Sequence, residues 1–198
     1  MGAPLATPRI VLASTSRYRA ELLRRLLTDF DQAAPDTDES PLPGEAPAAR
    51  ALRLAIAKAQ AVAPGCGGAL VIGSDQVAEL AGAILRKPGS VEHARAQLST
   101  SSGHVVHFHT ALCLFDTRND RQQTLVDHTR VRFRTLDGAE IDRYIEREQP
   151  LDCAGSFKCE GLGIGLFEEI DSRDPTALVG LPLIALARML RSAGLSVP

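Results

Sequence analysis

The chain has little of several things whose abundance would settle a class at once. Its four cysteines, Cys66, Cys113, Cys153 and Cys159, form no C-x-x-C pair in 198 residues. They are too few for the disulfide framework of a small secreted domain, and a reducing cytoplasm suits them. No apolar window approaches the ~20 residues a membrane-spanning helix needs. The first residues carry Pro4, Pro8 and Arg9 and lack the long apolar core of a secretory signal. Basic residues are not in excess, with 22 Lys and Arg against 24 Asp and Glu. That balance provides no basic face for stable nucleic-acid binding. No G-x-G-x-x-G follows a strand pattern and no G-K-[ST] occurs, which leaves out a dinucleotide fingerprint and a Walker loop.

What is present suits one packed domain over residues 1–198, with 44% hydrophobic and 23% charged residues. Ile10–Ala13 reads as a short buried strand. Ser14, Thr15 and Ser16 then offer capping hydroxyls to a helix whose apolar face is Leu22, Leu23, Leu26 and Leu27. Phe30–Ala34 reads as a strand that ends in the acidic loop 35–40. Pro47 stands where a helix over 48–63 can begin. Leu70-Val71-Ile72 predicts a compact strand ending at Gly73-Ser74-Asp75-Gln76, and Val77–Leu85 a hairpin turning at Ala81-Gly82. Ser90 caps a helix over 91–98, and two long strands follow, about 104–115 and 122–133. Asp137 with Glu140 is a capping box for a helix through Glu146. The small residues of 151–168 suggest strands bent around a site, and Pro182 starts a final helix. The mixed order and long hairpins predict a mixed α/β fold with antiparallel content.

Several of these positions carry chemistry. A helix N-terminus attracts anions, and Arg17 and Arg19 beside it favour a phosphate; read alone, the unit is equally an ordinary capped helix. Asp75, placed at a strand end, can hold Mg²⁺ or orient a water, and Asp38 and Glu39 form a second carboxylate group. Lys58 and Lys87 are the candidate phosphate lysines. His107 and His109 alternate on one strand without a third ligand at suitable spacing, which favours a wet hairpin face over a metal site. Cys153 and Cys159 read as small core residues, and Ser74 and Ser156 lack the G-x-S-x-G elbow.

Five blocks in order, 12–19 (LASTSRYR), 72–77 (IGSDQV), 87–88 (KP), 153–161 (CAGSFKCEG) and 178–183 (LVGLPL), resemble the Maf family of nucleoside triphosphate pyrophosphatases. The likeness spans Ile10 to about Leu190. It implies an elongated mixed sheet flanked by helices, with two lobes around a cleft. It also implies cleavage between the α- and β-phosphates with a divalent cation, Mg²⁺, Mn²⁺ or Co²⁺. By motif position, substrate-binding residues fall on Ser14, Ser16 and Arg19, and catalytic residues on Asp75, Glu39, Lys58 and Lys87. Asp75 and Glu39 are the implied metal ligands, and Asp75 the general base.

Three further positions separate branches of that family. Tyr18, Gln76 and Glu160 resemble the branch acting on 7-methyl-GTP, where a dTTP/UTP branch tends to have Arg, Thr and Gln. N7-methylation places a positive charge on guanine, which an aromatic face attracts and an arginine repels. Glu160 can accept from the guanine N1–H and N2–H₂ edge. Arg17 stands where the family more often has Pro, and Tyr18 where some relatives have Trp. The expected partner is therefore a nucleoside triphosphate, with no membrane and with a homodimer as a further expectation. Other readings are a dTTP/UTP or broader nucleotide pyrophosphatase, and a nucleotide-binding regulator of cell division that needs no turnover.

Overall fold

Ile10 and Leu12 face one side of the first strand and Val11 and Ala13 the other, and all four are buried. A strand buried on both faces needs helices over each, and the computed structural model, which describes residues 8–198, provides them. In chain order its elements are β1 (Arg9–Ala13), α1 (Arg17–Leu23), β2 (Asp31–Ala33), α2 (Pro47–Val62), β3 (Ala69–Leu80) and β4 (Ala83–Leu85). There follow α3 (Val91–Ser101), β5 (Val105–Asp116), β6 (Arg121–Phe133), α4 (Gly138–Glu148), β7 (Phe167–Asp171) and α5 (Leu183–Ser192). Pro4, on which part of the signal-sequence argument rests, lies outside the described residues.

The seven strands form one mixed sheet in the order β2-β1-β3-β5-β6-β7, with β4 also on β3. β1 runs parallel to β2 and β3, and the remaining pairs are antiparallel. Alternation along the long strands sorts three cores. Ile10, Leu12, Leu70, Ile72, Leu112 and Leu114 pack with α1 and α5. Val11, Ala13, Val71, Ala111 and Cys113 pack on the other face, beneath Ala51, Ala55 and Ala59 of α2. At the far end, Ala78, Val106, Phe108, Val131 and Phe133 pack with α3 and α4. The two lobes of the expectation are these ends of one sheet, with β3, β5 and β6 running through both.

The structure differs from the sequence reading at four places. β3 does not stop at Ile72 but continues to Leu80, so Asp75 lies in mid-strand. Residues 151–166 are not bent strands; they form two short 3₁₀ turns, Ala154–Ser156 and Leu162–Leu166, and strand begins only at Phe167. That segment is tied down from outside a ladder. Ser156 Oγ donates to Gln97 Oε1 at 2.6 Å, and Lys158 Nζ to Glu148 O at 3.0 Å. α1 ends at Leu23, yet Leu26 and Leu27 still pack against the first core from the turn beyond it. Half of the capping box forms: Asp137 Oδ1 accepts from Glu140 N at 2.7 Å, while the Glu140 carboxylate turns to Arg134.

Helix α2 lies on β3 at backbone contact. A Cβ on Gly73 would stand 2.1 Å from Ala55 O and 2.9 Å from Ala59 Cβ. Neither atom is the end of a flexible side chain, so relief requires the helix to lift. Gly73→Ala is expected to cost about 2–4 kcal/mol of stability. A shift of the urea midpoint at unchanged slope measures it, and a variant as stable as the parent would refute the close contact.

Candidate functional site

β3 has strands along the whole of only one edge. β5 pairs with it from Leu70 to Glu79. On the other edge β1 stops at Ile72, and β4 takes over only at Ala78. Residues 73–77 therefore face an opening in the sheet, where a cleft of about 980 Å³ lies. All ten site residues proposed from the sequence line it: Ser14, Ser16, Tyr18, Arg19, Glu39, Lys58, Asp75, Gln76, Lys87 and Glu160. They come from six separate stretches of chain, which the topology draws to one gap.

At the centre, Lys58 Nζ donates to Asp75 Oδ1 at 2.6 Å and lies 2.7 Å from Glu39 Oε1. Lys58 and Asp75 are buried and Glu39 is exposed. The acidic loop that carries Glu39 is held against α2, since Arg50 donates to Glu39 O and Arg53 to Ser40 O and Glu45. Partial burial pushes the Glu39 carboxyl up, but Lys58 beside it, with Lys87 and Arg19 further off, holds it below its ordinary value. The two carboxylates converge on one cation, an all-oxygen donor pair of the kind hard divalent ions take together with substrate phosphates. Among the described residues no set of three His, Cys, Asp or Glu is placed to hold a metal. A cation here would rest on Asp75 and Glu39 alone.

Next to this pair lies the loop between β1 and α1. Ser16 is the N-cap of α1, its Oγ accepting from Arg19 N at 3.4 Å. Ser14 Oγ accepts from Ser16 N at 3.1 Å and from Arg19 Nη1 at 3.4 Å. Arg19 Nε donates to Gly180 O at 2.9 Å. Burial lowers the Arg19 pKa, opposed by the attraction of Asp75 and Glu39; a guanidinium stays charged nonetheless. Gly180 O is also 2.9 Å from the Ser74 hydroxyl, and a Cβ on Gly180 would stand 3.4 Å from Arg19 Nε. Gln76 serves the same segment, with Nε2 3.0 Å from Ala177 O, Leu178 O and Thr110 Oγ1. Its amide therefore braces the turn before α5.

Tyr18 also lines the cleft. Its hydroxyl donates to Asp152 Oδ2 at 3.3 Å and accepts from Arg17 Nη2 at 2.8 Å. The Arg17 guanidinium lies 4.8 Å from the ring centre, so Arg17 meets Tyr18 instead of joining Arg19. Cys153 and Cys159 are half-buried and line the cleft, Cys159 also packing against the second core as expected of a small core residue, and burial pushes each thiol up to about 12. Neither is a thiolate nucleophile at neutral pH. Sequence reasoning missed Asp152 and the Gly180 carbonyl. Asp152 directly precedes the 153–161 block, and that adjacency was the available signal; nothing in the sequence marks a main-chain oxygen.

The other chemistry-bearing candidates fall outside the cleft or are otherwise engaged. Asp38 Oδ1 caps the turn at Ser40 N. His107 and His109 are joined by His128 in a stack on the open sheet face, with ring centres 5.2 and 5.0 Å apart. Ser156 Oγ is committed to Gln97.

A family model described as "Maf-like protein" matches residues 9–193. A protein of Xanthomonas oryzae pv. oryzae (strain MAFF 311018) is 58% identical over 191 residues, covering 96% of this chain and 100% of the relative. One of Burkholderia thailandensis is 60% identical over 190 residues, covering 94% and 88%. Both bear the name 7-methyl-GTP pyrophosphatase.

Gln76→Ala strips Leu178 O of its side-chain donor and leaves Ala177 O with Thr110 Oγ1 as its one side-chain donor, and is expected to cost about 1–3 kcal/mol. Because the freed turn carries Gly180, and through it Arg19, the loss in stability should be accompanied by a higher KM for nucleotide. Thermal unfolding and steady-state kinetics on the same preparation check both.

Proposed function

The chain belongs to the Maf-like family, and from that footing we propose that it is a nucleotide pyrophosphatase that hydrolyses 7-methyl-GTP to 7-methyl-GMP and pyrophosphate. The relatives' shared name supports the activity. The observation that carries the assignment into the structure is that one cleft is lined both by the charged centre and by Tyr18, Asp152 and Glu160.

The triphosphate occupies the end lined by Ser14, Ser16, Arg19, Lys58 and Lys87. Arg19 is fixed by Gly180 O and Ser14 Oγ, so it meets the phosphates already oriented, as charge-assisted recognition favours. Asp75 takes a proton from water, whose oxygen bonds the α-phosphorus as the bond to the α–β bridging oxygen breaks. The electron pair leaves with pyrophosphate. Lys58 and Lys87 balance charge that builds on the leaving group. A divalent cation on Asp75 and Glu39, of the Mg²⁺, Mn²⁺ or Co²⁺ type, would supply Lewis-acid neutralisation of the phosphates. At the base end the Tyr18 ring meets the cationic purine and Glu160 accepts from its N–H edge. Four free thiols suit a reducing cytoplasm, and among the described residues no helix is long and apolar enough to cross a membrane.

The test is a nucleotide panel with pyrophosphate detection. Preference for 7-methyl-GTP is expected; no pyrophosphate from it with Mg²⁺, Mn²⁺ or Co²⁺ would sink the assignment. Asp75→Asn should lower kcat by about 10²–10⁴-fold, the usual contribution of a general base, with nucleotide binding retained by calorimetry. Tyr18→Arg should lower kcat/KM for 7-methyl-GTP about tenfold relative to UTP by replacing attraction with repulsion.

A further inference from the structure

The base end of the cleft holds an acid that the proposed chemistry leaves without a task. Asp152 stands 134 residues from Tyr18 in sequence, yet its Oδ2 accepts the Tyr18 phenol proton at 3.3 Å. Its other oxygen is 3.5 Å from Cys153 Sγ. The neighbouring main chain is fixed, because Leu151 O accepts from Gly89 N at 3.1 Å. That bond joins the main chain beside Asp152 to the segment bearing Lys87. Tyr18 in turn is pinned at its polar tip by one donated and one accepted bond, the latter from Arg17.

Charge decides what this arrangement favours. A phenol hydrogen-bonded to a carboxylate is a more electron-rich ring, and a fixed negative charge at its tip favours a cation near its face. Arg17, whose guanidinium already lies 4.8 Å from the ring centre, acts in the opposite sense. A neutral purine gains nothing from an acid in this position, whereas a purine carrying a positive charge does. We propose that Asp152 is a specificity-determining positioning residue, which fixes and polarises Tyr18 and offsets Arg17 so that the ring takes a cationic purine in preference to a neutral one. The inference rests on the 7-methyl-GTP reading above and adds a residue to it. Partial burial pushes the Asp152 carboxyl up, but hydrogen bonds and nearby Lys158 outweigh it and leave the group below its ordinary value, charged at neutral pH.

Asp152→Asn keeps the size and an acceptor for Tyr18 while removing the charge. Wild type, D152N and D152E are compared on 7-methyl-GTP and GTP by pyrophosphate release, and on 7-methyl-GMP and GMP by calorimetry. For D152N, KM for 7-methyl-GTP is expected to rise about 5–20-fold, the span set by cation–π strength. Its kcat should stay within about twofold of wild type and its KM for GTP should not move; D152E should restore the preference. An equal loss for both nucleotides, or a loss confined to kcat, makes Asp152 a merely structural residue and overturns the proposal. A preference for 7-methyl-GTP left intact in D152N overturns the role of Asp152 alone. No preference in wild type overturns the base assignment, and this proposal with it.

Discussion

The cleft is organised around a buried ammonium held between two carboxylates. Lys58 could not lie at the sheet surface unpaired, since the desolvation of an isolated charge costs several kcal/mol. Asp75 at 2.6 Å and Glu39 at 2.7 Å make it tolerable. That arrangement exists only because α2 rests on β3 closely enough for a helix residue to reach a strand residue. Gly73, with Ala55 and Ala59 above it, is the reason the helix can come so near. Two formal negative charges against one positive leave the centre of the cleft net negative. Phosphate is therefore repelled there unless Lys87, Arg19 or a further cation screens it.

The first helix and the last turn form the second dependency. Arg19 is fixed by a carbonyl from Gly180, and Gly180 by the Ser74 hydroxyl from the middle of β3. The loop before α1, the middle of β3 and the approach to α5 thus share one atom. Gln76 reinforces the arrangement from the same strand. Residues 74, 75 and 76 point alternately to the two faces of the sheet. One short run can therefore brace the fold on one side and present a carboxylate on the other.

Much of this was legible in the sequence where a residue type carries its own signal. Alternation and capping located β1, α2, α3, β5, β6 and α5 to within a few residues, and the ten proposed site residues do share one cleft. What failed to show has a physical cause in each case. Gly73-Ser74 reads as a strand terminus because glycine and serine usually end ladders, yet glycine is there to admit a helix backbone. The 151–166 segment is fixed by side chains of α3 and α4, such as Gln97 and Tyr144, which no local pattern announces. Asp152 meets Tyr18 across 134 residues, a pairing that spacing does not announce.

The three long strands running through both ends of the sheet have a mechanical consequence. Enzymes whose lobes are joined by linkers close by rotating about a few backbone bonds. Here the lobes share β3, β5 and β6 as a continuous floor, with residues 70–79 of β3 paired to β5 without a break. Any widening of the cleft must therefore bend or twist a hydrogen-bonded ladder along its length, and the ladder resists as a leaf spring does, by restoring its own shape. The two ends of the sheet are thereby held at nearly constant separation, and a change in the opening between them strains every rung of the ladder.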